Sequence, residues 1–291
     1  MTTRNSVTGE HIPDSKTSQG TNSLFILLSK ENIDRVMSDL RHFIFPDVYL
    51  SREESDPATI YQQLLHSIIQ QMHVLIEAGL SIRPSDSGIR LSCIDITKQF
   101  VEELPRIQEM LISDVEAVRR NDPAATSRIE IICCYPAITV MLHYRIAHIL
   151  YKIGIPLLPR MITEHAHSIT GIDIHPAAQI GKSFGIDHGT GIVIGETTII
   201  GDDVMIYQGV TLGAKNFHKS EEGDILNIPR HPIIEDHVTI YSNSTILGRI
   251  RIGHDTIIGG NLWITKDIAP YSRVRQSKPQ KFSGFIDGEG I

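Results

Sequence analysis

The sequence predicts an α+β protein in which an α-helical N-terminal domain is followed by a parallel β-helix of hexapeptide repeats. Two patterns and the break between them carry this expectation. Ile234, Ile240, Ile246, Ile252, Ile258 and Ile264 recur at a strict spacing of six, which neither the period of an α-helix nor the two-residue alternation of a sheet selects. A stacked-coil solenoid requires it, because each flat face of each coil turns one apolar side chain into a narrow axial core. Upstream, Ile60, Leu64, Leu65, Ile68, Ile69, Met72, Leu75 and Ile76 make a stripe at helical spacing instead. The change falls near Gly171.

Residues 1 to 22 are rich in Ser, Thr, Asn and Gly without periodicity and are expected to be a flexible leader. Residues 23 to 168 form the α-helical domain. One helix begins at Asp56-Pro57, an N-cap followed by proline at the first helical position, and ends near Gly79 at the C′ position. Further helices are expected over Ile96 to Arg120, Pro123 to Cys134 and Pro136 to Ile153, the last closed by Gly154 and Pro156. The β-helix spans 169 to 269, and 270 to 291 form a C-terminal tail.

Within the solenoid, Ile174, Ile180, Ile186 and Ile192 keep the spacing of six before a two-residue offset resets the frame to Ile194, Ile200, Ile206 and Leu212. A corner between faces absorbs such an offset. Between Lys215 and Arg230 the repeat lapses into a polar segment too long for a corner, which predicts a loop thrown out from the scaffold. Gly181, Gly195, Gly201, Gly253 and Gly259 each follow an anchor isoleucine, where positive φ is expected to tighten the turn.

Composition narrows the function classes. A formal net charge of −7 argues against binding nucleic acid over the whole surface. No apolar run has the length of a membrane span, and Met1 to Gly20 lacks the apolar core of a signal peptide, so a cytoplasmic location is expected. Cys93, Cys133 and Cys134 have neither metal-ligand nor disulfide-framework spacing and read as buried reduced thiols. No metal site and no tightly bound cofactor are expected.

The polar interruptions of the repeat hold the candidate chemistry: Asp173 and His175, Asp187 and His188, and Arg230 and His231. Each pair stands at a coil edge, so the side chains point outward. The segments DIHPAAQIG from Asp173, DHGTGIVIGET from Asp187, QGVTLGAK from Gln208 and RHPII from Arg230 resemble those of the serine acetyltransferases. The resemblance covers Gly171 to Lys266, and the NDPA segment around Asp122 fits as well. It implies a left-handed β-helix, a homotrimer or dimer of trimers, and acetyl-CoA as co-substrate in the groove between subunits. The implied reaction is acetyl transfer to the hydroxyl of L-serine, giving O-acetyl-L-serine for cysteine biosynthesis.

By the same resemblance His188 is the catalytic base and Asp173 the carboxylate that pairs with it. A serine hydroxyl is too weak an acid to ionise near neutral pH, and an imidazole titrating near about 6.5 removes its proton as the new bond forms. Asp122 and Asp187 would meet the serine ammonium, while Arg230 and His231 would hold its carboxylate, a planar fork being suited to two parallel hydrogen bonds. Each has a structural reading beside the functional one. Asp122 precedes Pro123 as an N-cap would, Asp187 suits a turn, Arg230 and His231 suit the anchor of the long loop, and His175 and Glu196 read as structural.

Gly213, Ala214, Ser242, Asn243, Gly260 and Asn261 occupy coil edges where the family presents backbone groups to the pantetheine arm, and Lys266 is placed to meet a phosphate. The resemblance further implies L-cysteine as feedback inhibitor, although the loop before RHP is longer than the short Gly-rich link of the commonest bacterial pattern. It also implies a complex with O-acetylserine sulfhydrylase through the terminal Ile291.

With no cysteine in the solenoid to carry an acyl group, direct transfer in a ternary complex is expected. Three readings compete. A hexapeptide acetyltransferase for a sugar or other hydroxyl acceptor would have no use for Arg230. A γ-type carbonic anhydrase would need His188, His231 and His254 to converge on zinc. A structural subunit would be indifferent to His188.

Overall fold

A computed structural model describes residues 26–50, 56–82, 92–216, 220, 223, 226 and 228–277. Leader residues 1–25, most of the loop between Asn216 and Arg230, and the tail with Lys278, Lys281 and Ile291 lie outside the described residues. The helices are α1 (Lys30–Ile44), α2 (Pro46–Tyr49), α3 (Pro57–Leu80), α4 (Cys93–Asn121), α5 (Arg128–Cys134), α6 (Pro136–Ile153) and α7 (Leu158–Thr170). Local chemistry sets most of their ends. Ser29 and Asp56 accept from the backbone N–H of Asn32 and Ala58, Pro57 opens α3, and Gly154 closes α6 at φ 89°.

Two helix boundaries differ from expectation. Gly79 lies inside α3, where an added Cβ would stand 3.0 Å from Ile155 Cγ2 and 3.2 Å from the Pro156 carbonyl. Close helix packing, not C-capping, explains that glycine. The helix expected from Pro123 begins only at Arg128, with Ser127 as its side-chain N-cap. Asp122 is therefore the C-cap of α4 and not an N-cap. No single described helix is long and apolar enough to cross a membrane.

From Asp173 the chain winds into a three-sided parallel β-helix. Face A holds β1 (Asp173–Ile174), β4 (Val193–Ile194), β7 (Thr211–Gly213), β10 (Thr245–Leu247) and β13 (Trp263–Ile264). Face B holds β2 (Gln179–Ile180), β5 (Ile199–Ile200), β8 (Ile233–Ile234) and β11 (Arg251–Ile252). Face C holds β3 (Gly185–Asp187), β6 (Met205–Tyr207), β9 (Thr239–Ile240), β12 (Ile257–Ile258) and β14 (Arg273–Val274). The anchor residues stack in register, so Ile174, Ile194, Leu212, Ile246 and Ile264 form one buried column and Ile186, Ile206, Ile240 and Ile258 another. Each fully buried isoleucine contributes about 1.5–3 kcal/mol of apolar transfer energy, which makes the register hard to slip.

The anchor glycines serve a different purpose from the one expected. None of Gly181, Gly195, Gly201, Gly253 and Gly259 has positive φ. At all but Gly259 the next coil approaches too closely for a Cβ: at Gly201 it would lie 2.1 Å from Asp236 Oδ1, and at Gly253 2.4 Å from Pro270 N. The cysteines also depart from expectation, because Cys133 and Cys134 on α5 are exposed and Cys93 is half-buried. As the last residues of a short helix whose buried side chains are Ile131 and Ile132, the two thiols fall on its outer side.

A buried ion pair fastens the helices to the solenoid. Asp114 of α4 accepts from Arg145 Nε and Nη2 of α6, both at 2.7 Å, and from the backbone N–H of Phe184 at 3.0 Å. Arg145 also donates to the Gly181 carbonyl at 2.9 Å, and Tyr144 Oη to the Ala178 carbonyl at 2.5 Å. Burial pushes the Asp114 carboxyl above the ordinary range, and the Arg145 charge opposes it. The paired fork satisfies a group that is otherwise costly to bury.

Candidate active site

The candidate residues fall on two edges of the prism. On the edge between faces C and A stand His188, Ser242, Asn243, Gly260 and Asn261; on the edge between A and B stand His175, Glu196, Thr197, Arg230 and His231. The two-residue offset of the repeat lies at the first corner of the C–A edge. The C-to-A step takes six residues from Ile206 to Leu212 and from Ile240 to Ile246, but eight from Ile186 to Ile194. His188 and Gly189 thus sit in a widened corner. His188 adopts φ 56°, the left-handed region that Asn243 and Asn261 also occupy lower on this edge. Its side chain is 71% exposed.

The C–A edge is acidic at its top. Asp187 Oδ2 lies 3.8 Å from His188 Nε2. The end of α4 brings in Asp122, whose Oδ1 accepts from Ala124 N–H at 2.8 Å and Oδ2 from Tyr135 Oη at 2.5 Å. The Tyr135 bond holds the Asp122 carboxyl below its usual range, His188 adds a smaller electrostatic pull, and the tyrosine is pushed up to about 12. Tyr207 pairs in register beneath Asp187 and stacks on Tyr241 with ring centroids 4.9 Å apart.

The A–B edge is basic. Arg230 Nη2 donates to Glu196 Oε2 at 2.6 Å. Thr197 organises the corner: its Oγ1 accepts from the N–H groups of Arg230 at 2.8 Å and His231 at 3.1 Å. The Thr197 N–H donates to His231 Nδ1 at 3.1 Å, which leaves the ring proton on Nε2. Burial, reinforced by the Arg230 charge, depresses His231 to about 4, so the ring is neutral near pH 7 and offers an Nε2–H donor. Arg249 Nη1 braces the corner through the carbonyls of Thr197 at 2.7 Å and His231 at 3.0 Å. Burial also lowers His175.

Gly195 makes room for this histidine. An added Cβ would lie 2.0 Å from His231 Cδ2 and 2.1 Å from Nε2. Gly195→Ala is expected to displace the ring, raising KM for any substrate that His231 contacts by about tenfold. Steady-state kinetics against both substrates measures this; a KM within twofold of the parent means that His231 does not contact the ligand.

Asp173 belongs to the A–B side within one chain. Its carboxylate lies 3.9 Å from Arg160 Nη1, and its ligand atom is within 4.8 Å of those of Glu164 and His167. No hydrogen bond or ion pair joins it to His188 in the same chain. Gly213 and Ala214 end β7 toward the A–B edge, while Lys266 is exposed just beyond β13. The N–H groups of Asn243 and Asn261 are donated to the Gln208 and Ser242 carbonyls, both at 2.9 Å, so these two residues offer their side-chain amides and not their own N–H groups. Among the expected zinc ligands of the carbonic-anhydrase alternative, His254 stands on the third edge, between B and C, so the three histidines do not converge within a chain.

Sequence reasoning missed Tyr135, Thr197, Tyr207 and Arg249. Pro136 after Tyr135 was the available signal, since it forces the tyrosine out of helical geometry. Thr197 had none beyond its place in the DHGTGIVIGET segment.

No family model matches the chain. It is 42% identical over 276 residues to the plasmid serine acetyltransferase of Synechococcus elongatus, covering 91% of this chain and 86% of that protein. Serine acetyltransferase 1 of Entamoeba histolytica, solved in complex with L-cysteine, superposes with TM-score 0.72 at 32% identity, covering 89% of this chain and 100% of the other. A serine acetyltransferase solved in complex with CoA superposes with TM-score 0.54 at 26% identity over 82% of this chain and 95% of the other. Identity at this level across nearly the whole of both chains, on a shared helical domain and β-solenoid, means that the chain belongs to the serine acetyltransferase family.

Proposed function

We propose that the chain transfers acetyl from acetyl-CoA to the hydroxyl of L-serine, and that each working site is built by two copies of the chain. One observation carries this reading: the acidic half, Asp122 and Asp187 beside His188, and the basic half, Arg230 and His231, occupy different edges of one prism. An amino-acid zwitterion needs both charges within a few ångströms. Threefold packing of prisms, as a homotrimer or dimer of trimers, sets the C–A edge of one copy against the A–B edge of the next.

In that groove the ammonium of L-serine meets Asp122 and Asp187, and its carboxylate meets the Arg230 fork and the His231 Nε2–H. His188 takes the hydroxyl proton as the oxygen attacks the thioester carbonyl. The tetrahedral intermediate then collapses, the C–S bond breaks, and the imidazolium returns the proton to the departing thiolate. Asp173, on face A of the adjacent copy, steadies the imidazolium. Acetyl-CoA is a co-substrate, its pantetheine arm running down the groove past Ser242, Asn243, Gly260 and Asn261 with Gly213 and Ala214 opposite, and Lys266 near its phosphates. L-Cysteine presents the same ammonium and carboxylate and competes for the serine site. A complex with O-acetylserine sulfhydrylase through Ile291 involves a segment outside the described residues.

Thiol release from acetyl-CoA, measured with L-serine, serinol and N-acetyl-L-serine, tests the reading. Losing either charged contact is expected to lower kcat/KM roughly 10²-fold. Serinol or a sugar turned over as well as L-serine would sink it.

A further inference from the structure

Asp122 is held at both oxygens before any ligand arrives. Its Oδ1 accepts from Ala124 N–H at 2.8 Å within its own turn, and its Oδ2 from Tyr135 Oη at 2.5 Å across the α5–α6 junction. The junction exists because Pro136 excludes helical geometry at the preceding residue: Tyr135 has φ −83° and ψ 124°, and α6 starts afresh at Pro136. The tyrosine consequently leaves the helix path. Around it the turn is stitched down, with Thr126 N–H and Oγ1 both donating to Glu130 Oε2, at 2.8 and 2.5 Å.

We infer that Tyr135 is a positioning residue for the amino-acid substrate, its hydroxyl fixing the Asp122 carboxylate in the orientation that receives the substrate ammonium. This rests on the assignment of Asp122 to the ammonium. Several features of the pair suit the task. Asp122 is half-buried and sits at the C-cap of α4, where a carboxylate would otherwise rotate among several rotamers. A donor to an ionised acceptor is the stronger kind of hydrogen bond, and here it removes that freedom before binding. The tyrosine is raised to about 12 and the aspartate lowered, so the proton stays on the phenol and the charge on the carboxylate near neutral pH. Asp122, not Tyr135, touches the ligand.

The test is a double-mutant cycle on the full-length protein, with initial rates at varied L-serine and varied acetyl-CoA. Tyr135→Phe is expected to raise KM for L-serine about three- to tenfold while changing kcat and KM for acetyl-CoA by less than twofold. In an Asp122→Asn background the same substitution is expected to change KM for L-serine by less than twofold, because the group it orients has gone. A structural role for the tyrosine would move both substrates, or act by the same factor in both backgrounds, and either result overturns the inference. So would a parental KM for L-serine in Tyr135→Phe. A parental KM for L-serine in Asp122→Asn would instead remove the ammonium assignment itself.

Discussion

His188→Asn lowers kcat by about 10²- to 10⁴-fold while leaving KM for acetyl-CoA and the melting temperature close to parental: that is the expected result at the corner of the C–A edge. Asparagine is the informative replacement. His188 sits at φ 56°, and Asn243 and Asn261 hold the same left-handed conformation on the same edge. Alanine there would add backbone strain of about 1 kcal/mol or more to the chemical defect, whereas asparagine tolerates the conformation. With a side chain 71% exposed, little packing is lost. Circular dichroism melts and thiol-release kinetics together decide it, and a loss below tenfold would remove His188 as the base. Mixing His188→Asn chains with Arg230→Ala chains under subunit exchange extends the test. If each site draws on two copies, roughly a quarter of all sites are intact after random exchange of equal amounts and activity reappears from two inactive parents. No recovery after verified exchange would mean that the two edges do not share a site.

Asp114→Asn is expected to destabilise the protein by about 3–5 kcal/mol, the largest stability effect expected of any single substitution considered. Asp114 is 0% exposed in its side chain and Arg145 6%, so the replacement leaves a guanidinium buried without its counter-charge. Urea unfolding measures the change, and a loss below about 1 kcal/mol would mean that water reaches the pair. Asp114→Leu combined with Arg145→Met removes both charges and is expected to recover much of the loss. Recovery stays incomplete, because the Phe184 N–H and the Gly181 carbonyl lose their partners. The consequence reaches the site. Asp114 and Asp122 lie on and at the end of α4, and Asp114 grips Phe184 just ahead of β3, which ends at Asp187 beside His188. Loosening the clamp therefore separates Asp122 from His188.

The isoleucine period was read correctly down to individual positions because it follows from geometry that admits few alternatives. A coil with three flat faces brings one anchor per face back every six residues wherever no corner is widened and no loop is inserted, and every anchor from Ile174 to Ile264 is buried. Helices α3 and α6 were legible for a similar reason, since Pro57, Pro136 and Gly154 act on the backbone locally. Where the expectation failed, the missing information was a neighbour distant in sequence. Gly195 is glycine because His231 lies across it from the next coil, and Gly79 because Ile155 crosses it. Asp122 looked like an N-cap because Pro123 follows it, yet the next helix starts only at Arg128.

The sequence alone determined the architecture and the chemical types at the candidate site: two imidazoles, three carboxylates and an arginine, all but Asp122 at breaks in a repeat whose purpose is burial. Only the tertiary structure decided how these groups are distributed, with the acids beside His188 on one edge, Arg230 and His231 on the next, and Asp173 on the basic side. Periodicity reports which residues face inward, since burial acts on each coil separately. The distances among groups that face outward depend on how helix ends and coil corners from remote parts of the chain meet, and no local pattern encodes that.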